Sequence, residues 1–372
     1  MDGYGSATAL RTFVDSVLAH SCWRVTLVVP DQGLPPTVSG TGRVERAPLM
    51  LPTLRDRRLQ LAGYAAFVAA RGGVGLTSRP DVVISWQPLP AGLAGQATAR
   101  RYGVPHIVRT CGPELSREWS RFPWITSLLR PLTQRLFGGA DAVIVKSELE
   151  QSLVGDAAEA SRVHLIPNAV ADTFFAPGQP SADGSVRFLV ACQLEPHKAP
   201  WRLIEAFTAV QRTSSQRLTL TVVGDGSLRR RLEEASAQLQ GIIEFKGRIP
   251  HGAMPGVYTC HDAFIMPSPL EGCSNAALEA MAAGLPVIGM KSALSDLIED
   301  GVHGFLCDSP GTDGLRGAMD QFLDRSETDR ESLGHAARAK AQNHTTLALI
   351  RAYGHLIEEL SCETTGNLMN RV

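Results

Sequence analysis

Short apolar runs alternate with longer amphipathic stretches along most of the chain, and this alternation predicts its fold. The apolar runs are rich in Val, Ile, Leu and Phe, as expected for strands that are buried on both faces of a parallel sheet. They lie at residues 25–29, 81–85, 106–110, 142–146, 163–167, 186–193, 218–223, 243–246, 263–266 and 287–290. Strands that alternate with helices indicate an α/β fold of doubly wound parallel sheets.

The stretches between these runs carry the helical pattern. Residues 31–60, which hold Pro35, Pro36 and several arginines, are predicted to be irregular. Gly3 and Gly5 precede the first helix, where glycine would let the backbone approach a ligand closely; the alternative is a flexible terminus. Helices are predicted at residues 7–20, 59–71, 116–137, 201–211, 275–283, 313–323, 333–341 and 344–360, with further helical turns after residues 88, 147 and 228.

The length of 372 residues is more than one hydrophobic core usually serves, so two domains are expected. The best boundary is residues 173–185, a stretch that holds Pro, Gly and Ser. We therefore predict an N-terminal domain at 1–175, a C-terminal domain at 176–343, and a final segment at 344–372 made of a helix and a frayed tail.

Composition places the chain among soluble globular proteins, with 44% hydrophobic and 20% charged residues. Its apolar runs are all shorter than a bilayer crossing requires, so a cytoplasmic location is expected. The seven cysteines are scattered and lack the pair spacing of a metal site, which predicts reduced thiols.

Charge differs between the two halves of the chain: the first 170 residues are net positive and the remainder net negative. The basic half is suited to an anionic acceptor or to a membrane surface, whereas nucleic acid is not an expected partner. Residues 116–137 combine arginines with aromatic side chains, which allows a peripheral contact with the inner face of a membrane. The alternative is a helix that packs on the core and exposes its arginines to solvent.

Residues 263–308 carry the strongest candidate chemistry, with the order strand, loop, helix, strand. Ser274 is a suitable N-cap for the helix, and the N–H groups at a helix N-terminus attract anions. Glu271 precedes the helix and Glu279 lies one turn inside it, on the same face as Asn275. Carboxylates accept hydrogen bonds from sugar hydroxyls, so the pair beside an anion site suits a nucleotide sugar. The alternative is an ordinary helix with two unremarkable glutamates.

The same stretch resembles the signature of the retaining glycosyltransferases of family 4. The positions that carry the resemblance are Pro267, Ser268, Glu271, Gly272, Glu279, Ala280, Met281, Ala282, Gly284, Pro286 and Val287, and residues 140–147 and 166–170 are similar to the family as well. The resemblance implies a GT-B fold, in which two Rossmann-like domains face each other across a cleft and the final helix packs back on the N-terminal domain. In the family a strand precedes the first glycine loop, so here that strand is missing or the native start lies upstream of Met1.

The resemblance also implies roles for individual residues. Glu279 would bind the nucleotide ribose, Glu271 the donor sugar, and Lys198 the diphosphate leaving group, with retention of configuration and without a metal or other cofactor. The implied substrates are a UDP- or GDP-sugar donor and a glycan, lipid-linked or small-molecule acceptor. The candidate catalytic residues are Lys198, Glu271 and Cys111, and the candidate donor-binding residues are Gly5, Gln193, Lys198, Gly224, Arg248, Glu271, Gly272, Cys273, Ser274, Asn275, Leu278 and Glu279. Gly224 belongs to a Gly-Asp-Gly turn that either cradles phosphate or only turns the chain.

Two positions depart from the family pattern. Gln193 stands where the family usually has an Arg that faces the diphosphate, and Cys111 stands where it often has a His near the donor sugar. Cys111 has no basic partner visible in the sequence, which favours a packing thiol over a nucleophile. Such losses predict an unusual donor, weak activity or compensation by neighbours such as Arg109, His197 and Arg202.

Two other functions therefore remain open. A catalytically weak or inactive homologue would act as a binding or scaffold subunit, which the departures at Gln193 and Cys111 favour and the intact Lys198, Glu271 and Glu279 oppose. A sugar-nucleotide epimerase or a phosphorylase on the same fold fits the signature less well.

Overall fold

The computed structural model describes residues 5–21, 23–30, 43–49, 72–76, 78–110, 123–176, 184–309 and 311–369. The chain forms two compact units, and each consists of two separate segments of the chain. The N-terminal unit is Leu10–Pro167 together with Leu347–Val372, and the C-terminal unit is Asn168–Thr346 together with Met1–Ala9. The chain thus passes from one unit to the other three times: between Ala9 and Leu10, between Pro167 and Asn168, and between Thr346 and Leu347 at the start of its last helix.

The N-terminal unit contains two parallel sheets, one of β1 and β2 and one with the order β3-β4-β5-β6. Val108, Val143, Val145 and Phe137 form part of the apolar core against the larger sheet. The elements of this unit are α1 Gly5–His20, which begins before it, β1 Arg24–Pro30, β2 Arg43–Leu49, β3 Val83–Ser85, α2 Leu93–Tyr102, β4 His106–Arg109, α3 Pro123–Gly138, β5 Ala142–Val145, α4 Glu148–Val154 and β6 Val163–Leu165.

The strand β2 corrects the prediction of irregular structure across residues 31–60. Its seven residues pair in parallel register with β1, from Arg24 opposite Arg43 to Pro30 opposite Leu49. The segment has two arginines and a proline and lacks a clear apolar run, so its strand depends on pairing with β1 rather than on its own pattern. The predicted helix at 59–71, together with Gly3 and Cys111, lies outside the described residues.

The C-terminal unit is built on one six-stranded parallel sheet with the order β9-β8-β7-β10-β11-β12. The order reverses between β7 and β10, as in the Rossmann arrangement, and ligands of such sheets bind at the carboxyl ends of the strands at this switch point. The elements are β7 Val186–Ala191, α5 Pro200–Thr213, β8 Leu218–Val223, α6 Arg229–Ala235, β9 Ile243–Gly247, α7 Met254–Tyr258, β10 Ala263–Met266, α8 Asn275–Ala282, β11 Val287–Met290, α9 Lys291–Leu294, β12 Gly304–Cys307, α10 Thr312–Leu323 and α11 Glu327–Ala341.

A single apolar core covers both faces of this sheet. The strands contribute Phe188, Phe264 and Ile288, which are almost fully buried, and the helices contribute Phe207 and Phe322. Phe188 contacts the rings of both helical phenylalanines, with ring centroids 6.2 Å and 5.8 Å apart. Burial on both faces explains why β10 and β11 appear in the sequence as continuous apolar runs.

Two helices begin or end away from their predicted bounds. The helix α11 begins at Glu327 rather than residue 333, because Ser326 caps it by accepting a hydrogen bond from the Asp329 N–H group. Its first turns are mainly exposed and therefore show no apolar period in the sequence. The last helix, α12 Thr346–Met369, extends beyond the predicted end at residue 360. Its Tyr353 packs in the N-terminal unit against Phe13 and Trp86, with ring centroids 4.8 Å and 6.5 Å apart.

The basic, aromatic stretch at 116–137 is described only from Pro123 onward, where it forms α3. Leu136 and Phe137 are buried, whereas Leu129 is 39% exposed. A membrane contact through this stretch stays a prediction. None of the helices in the described part of the chain combines the length and the apolar character that crossing a bilayer requires.

Candidate active site

The candidate site lies in the C-terminal unit, at the switch point of its sheet. The neighbouring strands β7 and β10 are parallel, so the loops that follow them leave the same edge. The loop after β7 carries Gln193 and Lys198, and the loop after β10 carries Glu271 and Gly272. The predicted strand, loop, helix and strand around residues 263–290 are confirmed, because β10, α8 and β11 follow in that order.

The two loops are joined by an ion pair. Lys198 Nζ lies 2.5 Å from Glu271 Oε1, and the two side chains are 20% and 12% exposed. Each charge is therefore compensated by the other while the lysine stays accessible enough to change partner. The structure thus brings together two of the three residues that were predicted as catalytic, Lys198 and Glu271, from separate segments of the sequence.

The helix α8 presents its N-terminus beside this pair. The first N–H groups of a helix have no acceptor within the helix. Ser274 serves as the predicted N-cap, since its Oγ accepts a hydrogen bond of 3.3 Å from the Ala277 N–H group. The helix dipole adds partial positive charge at this end, which favours a phosphate.

Asn168 holds the loop in front of α8, a role that the sequence did not reveal. Its Nδ2 donates hydrogen bonds to Cys273 O at 2.9 Å and to Asn275 Oδ1 at 2.7 Å, and the residue is 5% exposed. These bonds fix three of the positions that were predicted to bind the donor, since Ser274 lies between the other two. In the sequence, only the family-like segment 166–170 pointed to Asn168, and it did not indicate which residues Asn168 contacts.

Glu279 is buried one turn into α8, with both carboxylate oxygens engaged. His251 Nε2 lies 2.9 Å from Oε1, and the Tyr258 hydroxyl donates to Oε2 at 2.9 Å. Burial, and then the charge of Glu279 and its hydrogen bond, raise the pKa of Tyr258 well above its usual value, so the phenol stays protonated. His251 and Tyr258 were not predicted, because they are 28 and 21 residues from Glu279 and belong to another segment.

The Gly-Asp-Gly segment after β8 is a tight turn packed on the loop after β7. A Cβ on Gly224 would lie 1.8 Å from Cys192 O, and its φ of +131° is one that glycine adopts readily. The Gly224 N–H group donates to Gly247 O at 2.8 Å, and Leu194 N donates to Asp225 O at 3.0 Å. The turn therefore packs against the residues on either side of Gln193, Cys192 and Leu194, and supports the loop. The Gly224 N–H group already has an acceptor within the protein, Gly247 O.

Two titratable side chains beside Lys198, Cys192 and His197, are neutral at pH 7. Burial raises the pKa of the Cys192 thiol to about 12, so this cysteine is not a nucleophile at neutral pH. Burial, and then the charge of Lys198, lower the pKa of His197. Gln193 itself is half-buried. Arg202 follows on α5, and its Nη1 is buried without a hydrogen-bond partner among the described residues.

The remaining predicted positions are spread more widely. Arg248 is exposed just after β9, and Gly272 is buried in the loop before α8. The Leu278 side chain is fully buried in the apolar core. Gly5 starts α1, and Arg109 is buried in the N-terminal unit with its guanidinium 4.5 Å from the Trp86 ring centroid. No cluster of three or more metal-binding side chains occurs among the described residues.

Comparison with known proteins identifies the class. Residues 5–169 match the family model described as Glycosyl transferase 4-like domain, and residues 185–325 match the model described as Glycosyl transferases group 1. The architecture of two Rossmann-like units is that of a GT-B glycosyltransferase. The chain belongs to the group 1 glycosyltransferases, family 4.

Relatives and a solved structure agree with this assignment. The chain is 30% identical to the 2-deoxystreptamine glucosyltransferase of Streptomyces kanamyceticus, over 81% of each chain. It is 26% identical to the D-inositol 3-phosphate glycosyltransferase of Acidothermus cellulolyticus, over 92% of this chain and 82% of the relative. Its fold is similar to that of HepE from Anabaena, solved with UDP and glucose, with a TM-score of 0.71, 19% identity, and 97% and 98% of the two chains covered.

Proposed function

We propose that this chain is a retaining glycosyltransferase that moves a sugar from a UDP- or GDP-sugar to a hydroxyl of a small cyclic polyol. The observation that carries the proposal is the Lys198–Glu271 pair at the switch point, next to the N-terminus of α8. The site thus offers a mobile cation, an anion-binding helix end and two carboxylates within one unit. This set matches the phosphate and the hydroxyls of a nucleotide sugar.

The chemistry follows from the charges. When the bond between the anomeric carbon and the diphosphate breaks, negative charge grows on the leaving oxygen, and a nearby cation lowers that barrier. Lys198 leaves Glu271 to meet this charge, and Glu271 then accepts hydrogen bonds from the donor sugar. The acceptor hydroxyl attacks from the face that the diphosphate leaves and gives its proton to the departing diphosphate oxygen, so the configuration at the anomeric carbon is retained.

The acceptor class is suggested by the relatives. Two of them are named for 2-deoxystreptamine and for inositol 3-phosphate, and both compounds are six-membered carbon rings with several polar substituents. An acceptor of this class is small and water-soluble. Glycan and lipid-linked acceptors are the other candidates to be compared in the same assay.

The test is a matrix of UDP- and GDP-sugars against cyclic polyols, glycans and lipid-linked acceptors, with product detection by mass and anomeric configuration by NMR. We expect turnover with one donor and one cyclic polyol, and a product with the anomeric configuration of the donor. An inverted product would reject the retaining mechanism. Tight binding of a nucleoside diphosphate without transfer to any acceptor would instead favour the scaffold alternative.

A pair of lysine variants tests the site itself. Lys198→Ala should lower kcat by on the order of 10²–10³, because it removes the leaving-group cation. Lys246→Ala is the matched control, since Lys246 forms an exposed ion pair with Glu244 on the edge strand β9. Equal activity of the two variants would remove Lys198 from the mechanism.

A further inference from the structure

The two hydrogen bonds of Glu279 hold its carboxylate in one orientation. The side chain is 9% exposed, and each oxygen meets a different donor, His251 Nε2 and the Tyr258 hydroxyl. A buried carboxylate is costly unless hydrogen bonds compensate its lost hydration, and two donors on two oxygens also prevent rotation of the group.

The donors are themselves fixed by packing. The Phe174 ring lies against both, with centroids 5.2 Å from His251 and 5.8 Å from Tyr258. Tyr258 is fully buried, and its hydroxyl also lies 3.3 Å from the carbonyl oxygen of Ala276 on α8. The carboxylate, its two donors and the aromatic ring therefore form one rigid group at the start of α8.

The fixed orientation leaves a defined acceptor pattern. Each carboxylate oxygen has two lone-pair positions, and one hydrogen bond per oxygen comes from the side chains of the described residues. One position on each oxygen is thus left for a ligand, so the carboxylate can accept hydrogen bonds from two neighbouring donors. Two adjacent hydroxyl groups on one ring match this pattern, and the ribose of a nucleotide carries such a pair.

We propose that His251 and Tyr258 are positioning residues that fix Glu279 so that the site selects ribonucleotides over 2′-deoxyribonucleotides. The inference rests on the proposed function, because it assumes that the donor nucleotide binds at the switch point. Neither residue touches the sugar that is transferred. Their effect falls on donor binding and leaves the chemical step unchanged.

The test compares the affinities of UDP and GDP with those of their 2′-deoxy analogues by calorimetry, using the full chain. For the wild type we expect the better-bound ribonucleotide to bind about tenfold more tightly than its 2′-deoxy form. This ratio corresponds to the loss of one charge-assisted hydrogen bond. Tyr258→Phe and His251→Ala should reduce this ratio to about two or less, by weakening the ribonucleotide more than the deoxy form. His251→Gln, which keeps an N–H donor, should retain most of the ratio.

A control and a kinetic readout separate positioning from general damage. Tyr102→Phe removes a hydroxyl that accepts a hydrogen bond from Leu76 N in the N-terminal unit, and it should leave the ratio unchanged. In donor kinetics the KM should rise in His251→Ala while kcat stays within about twofold, because ribose contacts act equally in ground and transition states. His251 is 33% exposed, so its variants should fold even if Tyr258→Phe does not.

The outcomes distinguish failure of the proposed function from failure of the positioning role of His251 and Tyr258 alone. A wild type that binds neither UDP nor GDP would overturn the proposed function. A wild type that binds one of them without preferring ribose, or His251→Ala that keeps the full ratio, would overturn the positioning role alone. Loss of the ratio in His251→Ala with recovery in His251→Gln supports it.

Discussion

Charged residues of the candidate site are compensated by partners within the protein. Lys198 forms an ion pair with Glu271, and Glu279 accepts hydrogen bonds from His251 and Tyr258. Compensation is expected, because a buried charge without a partner is costly. The two carboxylates nevertheless differ: Glu271 is paired with the unbranched side chain of Lys198, whereas Glu279 is held by two ring side chains.

Replacement of Gln193 tests whether the missing positive charge at this position limits the rate of transfer. Gln193 stands in the loop that carries Lys198, where it offers an amide dipole and no charge. Gln193→Arg should raise kcat more than it changes the donor KM, because a second cation acts mainly on the charge that develops in the transition state. The measurement is kcat and KM of both proteins with the same donor and acceptor.

The reverse result is equally informative. If kcat is unchanged or lower while the variant keeps the melting temperature of the wild type, the site is built around Gln193. Arg202, a half-buried residue whose Nη1 atom is buried, would then be the first alternative cation to examine by substitution. Weak activity would no longer be explained by a missing arginine.

At the scale of elements, the sequence predicted best where burial is continuous. The strands β10 and β11 are buried at every position, so their apolar runs identify them directly. The strand β2 was missed because its pairing with β1 is a tertiary contact that its own sequence does not display. The partners of Glu279 were missed for a related reason, since only the folded sheet brings the segment after β9 to α8.

The turn after β8 offers a prediction about how the site is supported. Gly224→Ala should destabilise the protein by about 1–3 kcal/mol through its backbone conformation alone, and further through the clash with Cys192 O. It should also raise the donor KM, because Cys192 leads directly to Gln193. Thermal melting and donor kinetics measure the two effects.

A second glycine supplies the matched control. Gly317 lies within α10, and a Cβ there would meet nothing within 4 Å. Gly317→Ala should leave the kinetics unchanged and stabilise the protein by about 0.5–1 kcal/mol, because alanine favours helix. If Gly224→Ala proves as stable as Gly317→Ala, the tight approach to Cys192 is not a constraint.

At the scale of the whole molecule, the transfer reaction is expected to proceed without a divalent cation. Lys198 and the N-terminus of α8 supply positive charge at the place where many transferases use a metal. Transfer activity should therefore persist after treatment with EDTA and dialysis. Loss of activity that Mn²⁺ or Mg²⁺ restores would show that the protein charges are insufficient, and the leaving-group role of Lys198 would need revision.

The stability of the N-terminal unit should depend on pH through His106. Its Nε2 lies 2.8 Å from the Ser85 hydroxyl, and burial lowers its pKa from 6.5 to about 4. In the unfolded chain the imidazole titrates near pH 6.5, so between pH 6.5 and 4 the unfolded state binds more protons than the folded state. The contribution of the neutral histidine is complete above pH 6.5 and is lost as pH falls towards 4. At pH 5.5 the loss should be about 1 kcal/mol relative to pH 7.5.

Urea unfolding followed by tryptophan fluorescence tests this dependence. Trp201 belongs to the C-terminal unit and the other four tryptophans to residues 10–167, so a Trp201→Phe background reports the N-terminal unit. The free energy of unfolding should fall between pH 7.5 and 5.5, and His106→Gln should flatten that fall because glutamine does not titrate. The Trp201→Phe proteins with and without His106→Gln are compared by the slope of their free energy of unfolding against pH, since His106→Gln also changes the stability at every pH. Equal slopes with and without His106 would mean that the histidine keeps its ordinary pKa in the folded protein, and the acid sensitivity would then have to come from the carboxylates.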